Sequence, residues 1–271
     1  MKANTLSTEE FEKHFLELGL QLGCDKVLNH SYETAYARHL SPLHQEPISL
    51  LEIGVGGEGY ADGGQSLALW EALFPQAMIY GLDIYDKSQH NRDRVKTFII
   101  DQSDATALYA FAQQYGPFDV IIDDGSHHRA DVLTSLFALM PHVKEGGYYV
   151  IEDCSASYWP AYEGSTLAHE FLDTPIIWLK KAIEVVHRED LLFPQDNLPN
   201  WNLRSVSVYS GLGFLEVGHT RIGKNIPDSS GFYENQRELD ELRYGQFKHF
   251  FTKFSLDAMA SVQKILKSDH D

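Results

Sequence analysis

The spacing of apolar residues changes along the chain, and each change marks an element. Phe11, Phe15, Leu18 and Leu22 recur at three- and four-residue intervals, as on one face of an amphipathic helix. Ser7 and Glu10 have the spacing of a capping box at its start, and Gly23 stops it. A second helical stretch over 32–40 carries Tyr32, Tyr36 and His39 on related faces and ends at Ser41-Pro42. From residue 48 the pattern becomes short, unbroken apolar runs that end in acids or glycines, at 48–53, 77–83, 97–100, 118–122 and 148–151. Such runs lack the alternation of half-exposed strands, so they predict parallel strands covered on both faces, separated by helices near Ser66, Leu108–Phe111 and Val132–Phe137. Segments 206–209 and 214–217 flank Ser210-Gly211-Leu212-Gly213, the signature of a hairpin and hence of an antiparallel strand closing the sheet. The expected fold class is therefore α/β, a Rossmann-like doubly wound sheet, mostly parallel. Residues 166–187 read as helical, 187–201 as irregular, and the chain from about Glu234 as helical again. The expected organisation is a helical extension over 1–44, a core over 45–220 and a helical tail over 221–271.

Composition narrows the function classes. Of 271 residues, 43% are hydrophobic, enough for a substantial core. The formal charge of -17 repels phosphate backbones and anionic lipid, so neither nucleic acid nor a membrane surface is the expected partner. A small molecule suits the chain better. Cys24 and Cys154 form no metal or disulfide pattern, and neither a signal core nor a membrane span is evident, so the sequence reads as a cytoplasmic protein.

The polar residues at the strand ends carry the candidate chemistry. Gly54, Gly56 and Gly59 match the G-x-G-x-x-G dinucleotide pattern, yet the loop runs on through Gly63-Gly64 before a helix begins, which misplaces a pyrophosphate cradle. Glu52 adds negative charge where a pyrophosphate would be repelled and a cationic ligand favoured. Asp83, ending the second strand, can accept both hydroxyls of a ribose, although a solvated strand-end aspartate is the plainer reading. Asp101 and Gln102 follow the third strand, where they could reach an adenine edge or cap the next helix. The fourth strand runs into Asp123-Asp124-Gly125-Ser126-His127-His128, either a catalytic end or a turn and cap. The fifth ends in Glu152-Asp153. Right-handed crossovers place such strands side by side, about 4.8 Å apart, so Asp124, Glu152 and Asp153 can converge. Three carboxylates in one pocket call for a cation, and an all-oxygen set suits Mg2+ rather than structural zinc. The aromatic segment 157–164 reads either as a loop over this pocket or as surface packing.

These motifs together resemble the class I S-adenosylmethionine-dependent methyltransferases. Leu50–Gly57, Gly81–Ser88, Asp101–Asp104, Ile122–His127, Val150–Asp153 and Ser157–Pro160 resemble more narrowly the metal-dependent sugar O-methyltransferases of macrolide biosynthesis, from about residue 45 to 165. That resemblance implies S-adenosyl-L-methionine held by Glu52, Gly54, Gly56, Gly57, Ser66, Asp83, Asp101, Gln102 and Asp123. It also implies Mg2+ held by Asp124, Glu152 and Asp153, with His127 as the base. A glycosylated natural product would be the acceptor, bordered by Tyr60, Tyr158 and Trp159, and a homo-oligomer is compatible with it. Departures lie toward the ends, where the N-terminal part is short and Val217 stands in place of an expected lysine. Two other classes share the glycine pattern, a nicotinamide-dependent oxidoreductase and a non-catalytic nucleoside-binding protein.

Overall fold

The computed structural model describes residues 6–57, 63–168, 171–188 and 198–219. Tyr60, the expected helix from Glu234 and the rest of segment 221–271 lie outside these residues. Helix α1 (Thr8–Leu22) opens on the expected capping box: the Ser7 hydroxyl accepts from the Glu10 amide at 3.2 Å, and Glu10 Oε2 accepts from the Ser7 amide at 2.8 Å. Gly23 ends it with φ 68°, a left-handed turn that glycine adopts without steric cost. The chain then reverses into α2 (Asp25–Leu28), a single turn that packs on α1 so closely that Gly19 faces the Val27 side chain with no room for a Cβ. Helix α3 (Glu33–Leu40) follows.

Seven strands form one sheet: β1 (Ser49–Ile53), β2 (Met78–Asp83), β3 (Val95–Ile99), β4 (Phe118–Asp123), β5 (Val143–Ile151), β6 (Leu203–Tyr209) and β7 (Leu212–Val217). Their order is β3-β2-β1-β4-β5-β7-β6. The first five are parallel, and β7 lies antiparallel between β5 and β6. The mostly parallel sheet with an antiparallel hairpin strand is thus as the apolar runs predict. Strand β5 begins five residues before the run at 148–151, because a register shift against Phe118 lets Val143 pair before the Gly146-Gly147 segment.

Each face of the sheet has its own core. Helices α1, α3 and α4 (Gln65–Leu73) cover one face, where Phe11, Phe15, Tyr36, Trp70 and Phe74 form a continuous run of ring contacts. Helices α5 (Ala105–Tyr115), α6 (Arg129–Leu139) and α7 (Pro175–Val186) cover the other through Leu108, Phe111, Leu136 and Leu179. Burial on both faces explains why the strand sequences do not alternate. Helix α7 is shorter than the helical reading of 166–187, since Pro175 takes its first turn and Thr174 caps it. The chain order reverses between β1 and β4, and a crevice opens there at the carboxyl ends of the strands.

Candidate active site

That crevice holds a cavity of about 750 Å3, within the range of small-molecule sites. Gly54, Gly56, Gly57, Asp83, Asp101, Gln102, Asp124 and His127 all line it. Gly54 has φ 84°, and a Cβ there would collide with the Asp124 carbonyl, so only glycine lets the β1 loop pass under the β4 loop. Asp83 holds the loop from the side, with Oδ2 accepting from the Val55 amide at 3.0 Å and Oδ1 from the Tyr85 amide at 2.9 Å. A carboxylate has further lone pairs for a ligand beyond those two bonds. Buried Lys87 donates to the Gly56 carbonyl at 2.8 Å.

Three of the residues singled out in the sequence, Glu52, Ser66 and Asp123, do not line the cavity. Glu52 is fully buried and accepts from Ser66 at 2.8 Å and from the Trp70 indole at 3.1 Å. Asp123 accepts from Gln102 at 2.7 Å, from Tyr149 at 3.1 Å and from Ser135. Burial pushes the Asp123 carboxyl up to about 6, against these bonds and the nearby His127, which lower it. Gln102 reaches both shells, since its Oε1 accepts from the Ser126 amide at 2.9 Å. Glu52, Ser66 and Asp123 therefore brace the loops that form the cavity.

The acids of β4 and β5 meet because Asp123 pairs with Ile151, which carries Asp124 and Glu152 one step beyond the paired ends. Asp124, His127 and Asp153 each offer a ligand atom within 4.8 Å of the others. His127 Nε2 stands 3.9 Å from Asp124 Oδ1 and 3.7 Å from Asp153 Oδ2. His127 has φ 57° and Asp153 φ 48°, left-handed conformations that cost non-glycine residues on the order of 1 kcal/mol or more and concentrate at functional sites. Two carboxylates and an imidazole are hard and borderline donors that fit a divalent cation of the Mg2+ or Mn2+ kind. The two thiols are buried, and burial pushes each up to about 12, so neither offers a thiolate.

Below this cluster sits a cation that the chain itself supplies. Lys26 Nζ lies 2.6 Å from Asp124 Oδ2, 2.7 Å from Glu152 Oε1 and 3.3 Å from Glu52 Oε1, with no exposed surface. Burial opposes its charge, but Asp124, Glu152 and Glu52 outweigh that and hold the ammonium well above its ordinary range. Glu152 is pushed upward by burial and by Asp124. Tyr36 donates to the same Glu152 oxygen, and Tyr32 donates to Asp153 Oδ1 at 2.8 Å. Above the cluster, the ring of Tyr162 stands 6.2 Å from that of His127 and 5.6 Å from that of His128, and half-exposed Trp159 adjoins Tyr162. Of the segment expected to cover the pocket, Tyr162 adjoins His127 with Trp159 behind it, while the residues that line the cavity include none from 157–164.

Residues 51–154 match the family model described as a methyltransferase domain. The fold superimposes on the MycE methyltransferase of the mycinamycin biosynthetic pathway, solved with Mg, SAH and mycinamycin VI, at a TM-score of 0.75 and 39% identity over 79% of this chain and 56% of that one. The chain carries a class I methyltransferase domain. Curated relatives of this methyltransferase domain are mycinamicin VI 2''-O-methyltransferase of Micromonospora griseorubida, 40% identical over 72% of this chain and 50% of that protein, and the 8-demethyl-8-alpha-L-rhamnosyl tetracenomycin-C 2'-O-methyltransferase of Streptomyces olivaceus, 41% identical over 64% and 46%. The chain spans about half the length of the curated relatives it matches. Among the described residues of the methyltransferase domain, no helix is long and apolar enough to cross a membrane.

Proposed function

We propose that this methyltransferase domain transfers a methyl group from S-adenosylmethionine to a sugar hydroxyl of a glycosylated natural product, with Mg2+ as the metal. The observation that carries the reading is the meeting of Asp124, His127 and Asp153 at the rim of a glycine-lined cavity, at the point where the sheet order reverses. When bound, Mg2+ acidifies a coordinated hydroxyl and S-adenosylmethionine supplies an electrophilic methyl group. Asp83 accepts the ribose hydroxyls, Asp101 and Gln102 border the base, and Gly54, Gly56 and Gly57 admit the cofactor close to the backbone. Asp124, Glu152 and Asp153 hold the metal; Glu152 commits Oε1 to Lys26 and Tyr36 and keeps Oε2 outside those bonds. His127 takes the acceptor proton at Nε2, the nitrogen that faces the two aspartates. Tyr158, Trp159 and Tyr162 border the acceptor.

A second reading follows from the 4.8 Å cluster: His127 ligates the metal and Glu152 does not. Electron spin-echo spectroscopy of bound Mn2+ separates the two, because only a ligating imidazole gives a directly coupled 14N signal. The function itself is tested by incubating the protein with S-adenosylmethionine, Mg2+ and a panel of glycosylated natural products, and reading products by mass spectrometry. A 14-Da gain on a sugar, lost with excess EDTA, is the expected result. A protein stabilised by NADH but not by S-adenosylmethionine would instead be the oxidoreductase.

A further inference from the structure

We propose that Lys26 is the fixed counter-cation of the metal site, a positioning residue that holds the carboxylates of β1, β4 and β5 together and limits how tightly an exchangeable divalent ion binds beside them. The inference rests on the reading of Asp124 and Asp153 as metal ligands.

The ammonium touches one carboxylate from each of three strands, Glu52 of β1, Asp124 just after β4 and Glu152 just after β5, and it has no contact with solvent. Those carboxylates would otherwise repel one another in a medium of low dielectric. Lys26 resolves the repulsion without a metal, so the site is assembled before the ion arrives. It also takes Asp124 Oδ2 and Glu152 Oε1, and so leaves Asp124 Oδ1 to face His127. Tyr36 pins the same Glu152 oxygen from the other side but brings no charge.

The charges support the assignment. Glu52, Asp124, Glu152 and Asp153, when ionised, set four negative charges against the one of Lys26. Without Lys26 the same carboxylates would face a divalent ion with one positive charge fewer beside them, and would hold it more tightly. The fold supports the assignment as well: the α1–α2 reversal at Gly23 and the close approach at Gly19 serve to bring one lysine under the sheet ends.

The test is Mn2+ affinity, read by electron paramagnetic resonance in the absence of cofactor and acceptor, with the melting temperature of each variant taken with and without Mg2+. In Lys26→Met the metal-free protein should melt lower, the increment given by Mg2+ should grow, and Mn2+ should bind about tenfold or more tightly, because a positive charge adjoining its ligands is gone. Lys26→Gln, which keeps a donor for Glu152, should tighten Mn2+ in the same direction and serves if the methionine variant does not fold. Tyr36→Phe should lower the melting temperature while leaving Mn2+ affinity within about threefold, since no charge changes. Unchanged or weaker Mn2+ binding in both Lys26 variants overturns the proposal, as does a Tyr36→Phe effect as large as theirs. Wild-type protein that binds no Mn2+ overturns the underlying metal reading instead.

Discussion

In the proposed function, Asp83 serves structure and ligand together. It already accepts from the Val55 and Tyr85 amides, so Asp83→Ala removes a brace of the glycine loop and the acceptor for the ribose. Charge-assisted bonds to a ligand contribute roughly 1.5–3 kcal/mol each, so loss of the two to the ribose should lower affinity for S-adenosylhomocysteine by roughly 10²- to 10⁴-fold by calorimetry. Unchanged affinity would remove Asp83 from the cofactor site. The two histidines make a sharper comparison. His127 faces Asp124 and Asp153 from a left-handed backbone, whereas exposed His128 caps α6 with its backbone. His127→Ala should lower kcat by roughly 10²- to 10⁴-fold with Mn2+ binding retained, while His128→Ala should cost little. Equal losses in both variants would end the assignment of the base. Asp123 yields a pH dependence. Its folded carboxyl titrates at about 6 against an ordinary 3.8, so the folded state binds its proton more tightly than the unfolded one. The resulting stabilisation is complete below about pH 4 and is lost as pH rises through 6. The stability of wild type relative to Asp123→Asn, from urea titrations, should therefore decline over that window; a flat difference would mean that Asp123 carries no such shift.

At the scale of elements, the close seat of α2 on α1 decides where Lys26 ends up. Alanine in place of glycine inside a helix ordinarily stabilises by roughly 0.5–1 kcal/mol, but at Gly19 the new Cβ would enter the Val27 side chain, and such overpacking costs about 1–3 kcal/mol. The second effect is larger. Gly19→Ala should lower the melting temperature, and adding Val27→Ala, which empties that space, should recover part of the loss; a Gly19→Ala protein more stable than wild type would refute the tight packing. The strands were legible in the sequence because burial on both faces leaves unbroken apolar runs, and Asp83, Asp124 and Asp153 stood out because they lie at, or two residues beyond, the ends of such runs. Helix α2 was not. It is one turn long, too short for a period to show, and its lysine faces partners 98 and 126 residues away. The charged pair Asp25-Lys26 between Cys24 and Val27 reads as surface until the fold shows the lysine buried. Glu52 and Asp123 show the converse: strand-end acids stand out in a sequence, but only the structure tells those that face the cavity from those that brace it from behind.

At the scale of the whole molecule, the point where the sheet order reverses divides the labour. The glycine loop and Asp83 come from β1 and β2, while Asp124, His127 and Asp153 come from β4, β5 and the segments after them. In the proposed function, cofactor and metal are thus held by different strands, although Asp124 and His127 also border the cavity. The two ligands should respond separately to chelation. Excess EDTA should reduce turnover by roughly a hundredfold or more, since the acceptor hydroxyl would keep its ordinary acidity. Affinity for S-adenosylhomocysteine, which is uncharged at sulfur, should stay within about threefold. S-Adenosylmethionine should bind at least as tightly as before, because removing a divalent cation leaves the carboxylates of β4 and β5 opposed only by Lys26 and so more favourable to the sulfonium. Calorimetry of both ligands with and without EDTA makes the comparison. Loss of S-adenosylhomocysteine binding on chelation would show that metal and cofactor depend on one another, and would contradict the division of the site between the two halves of the sheet.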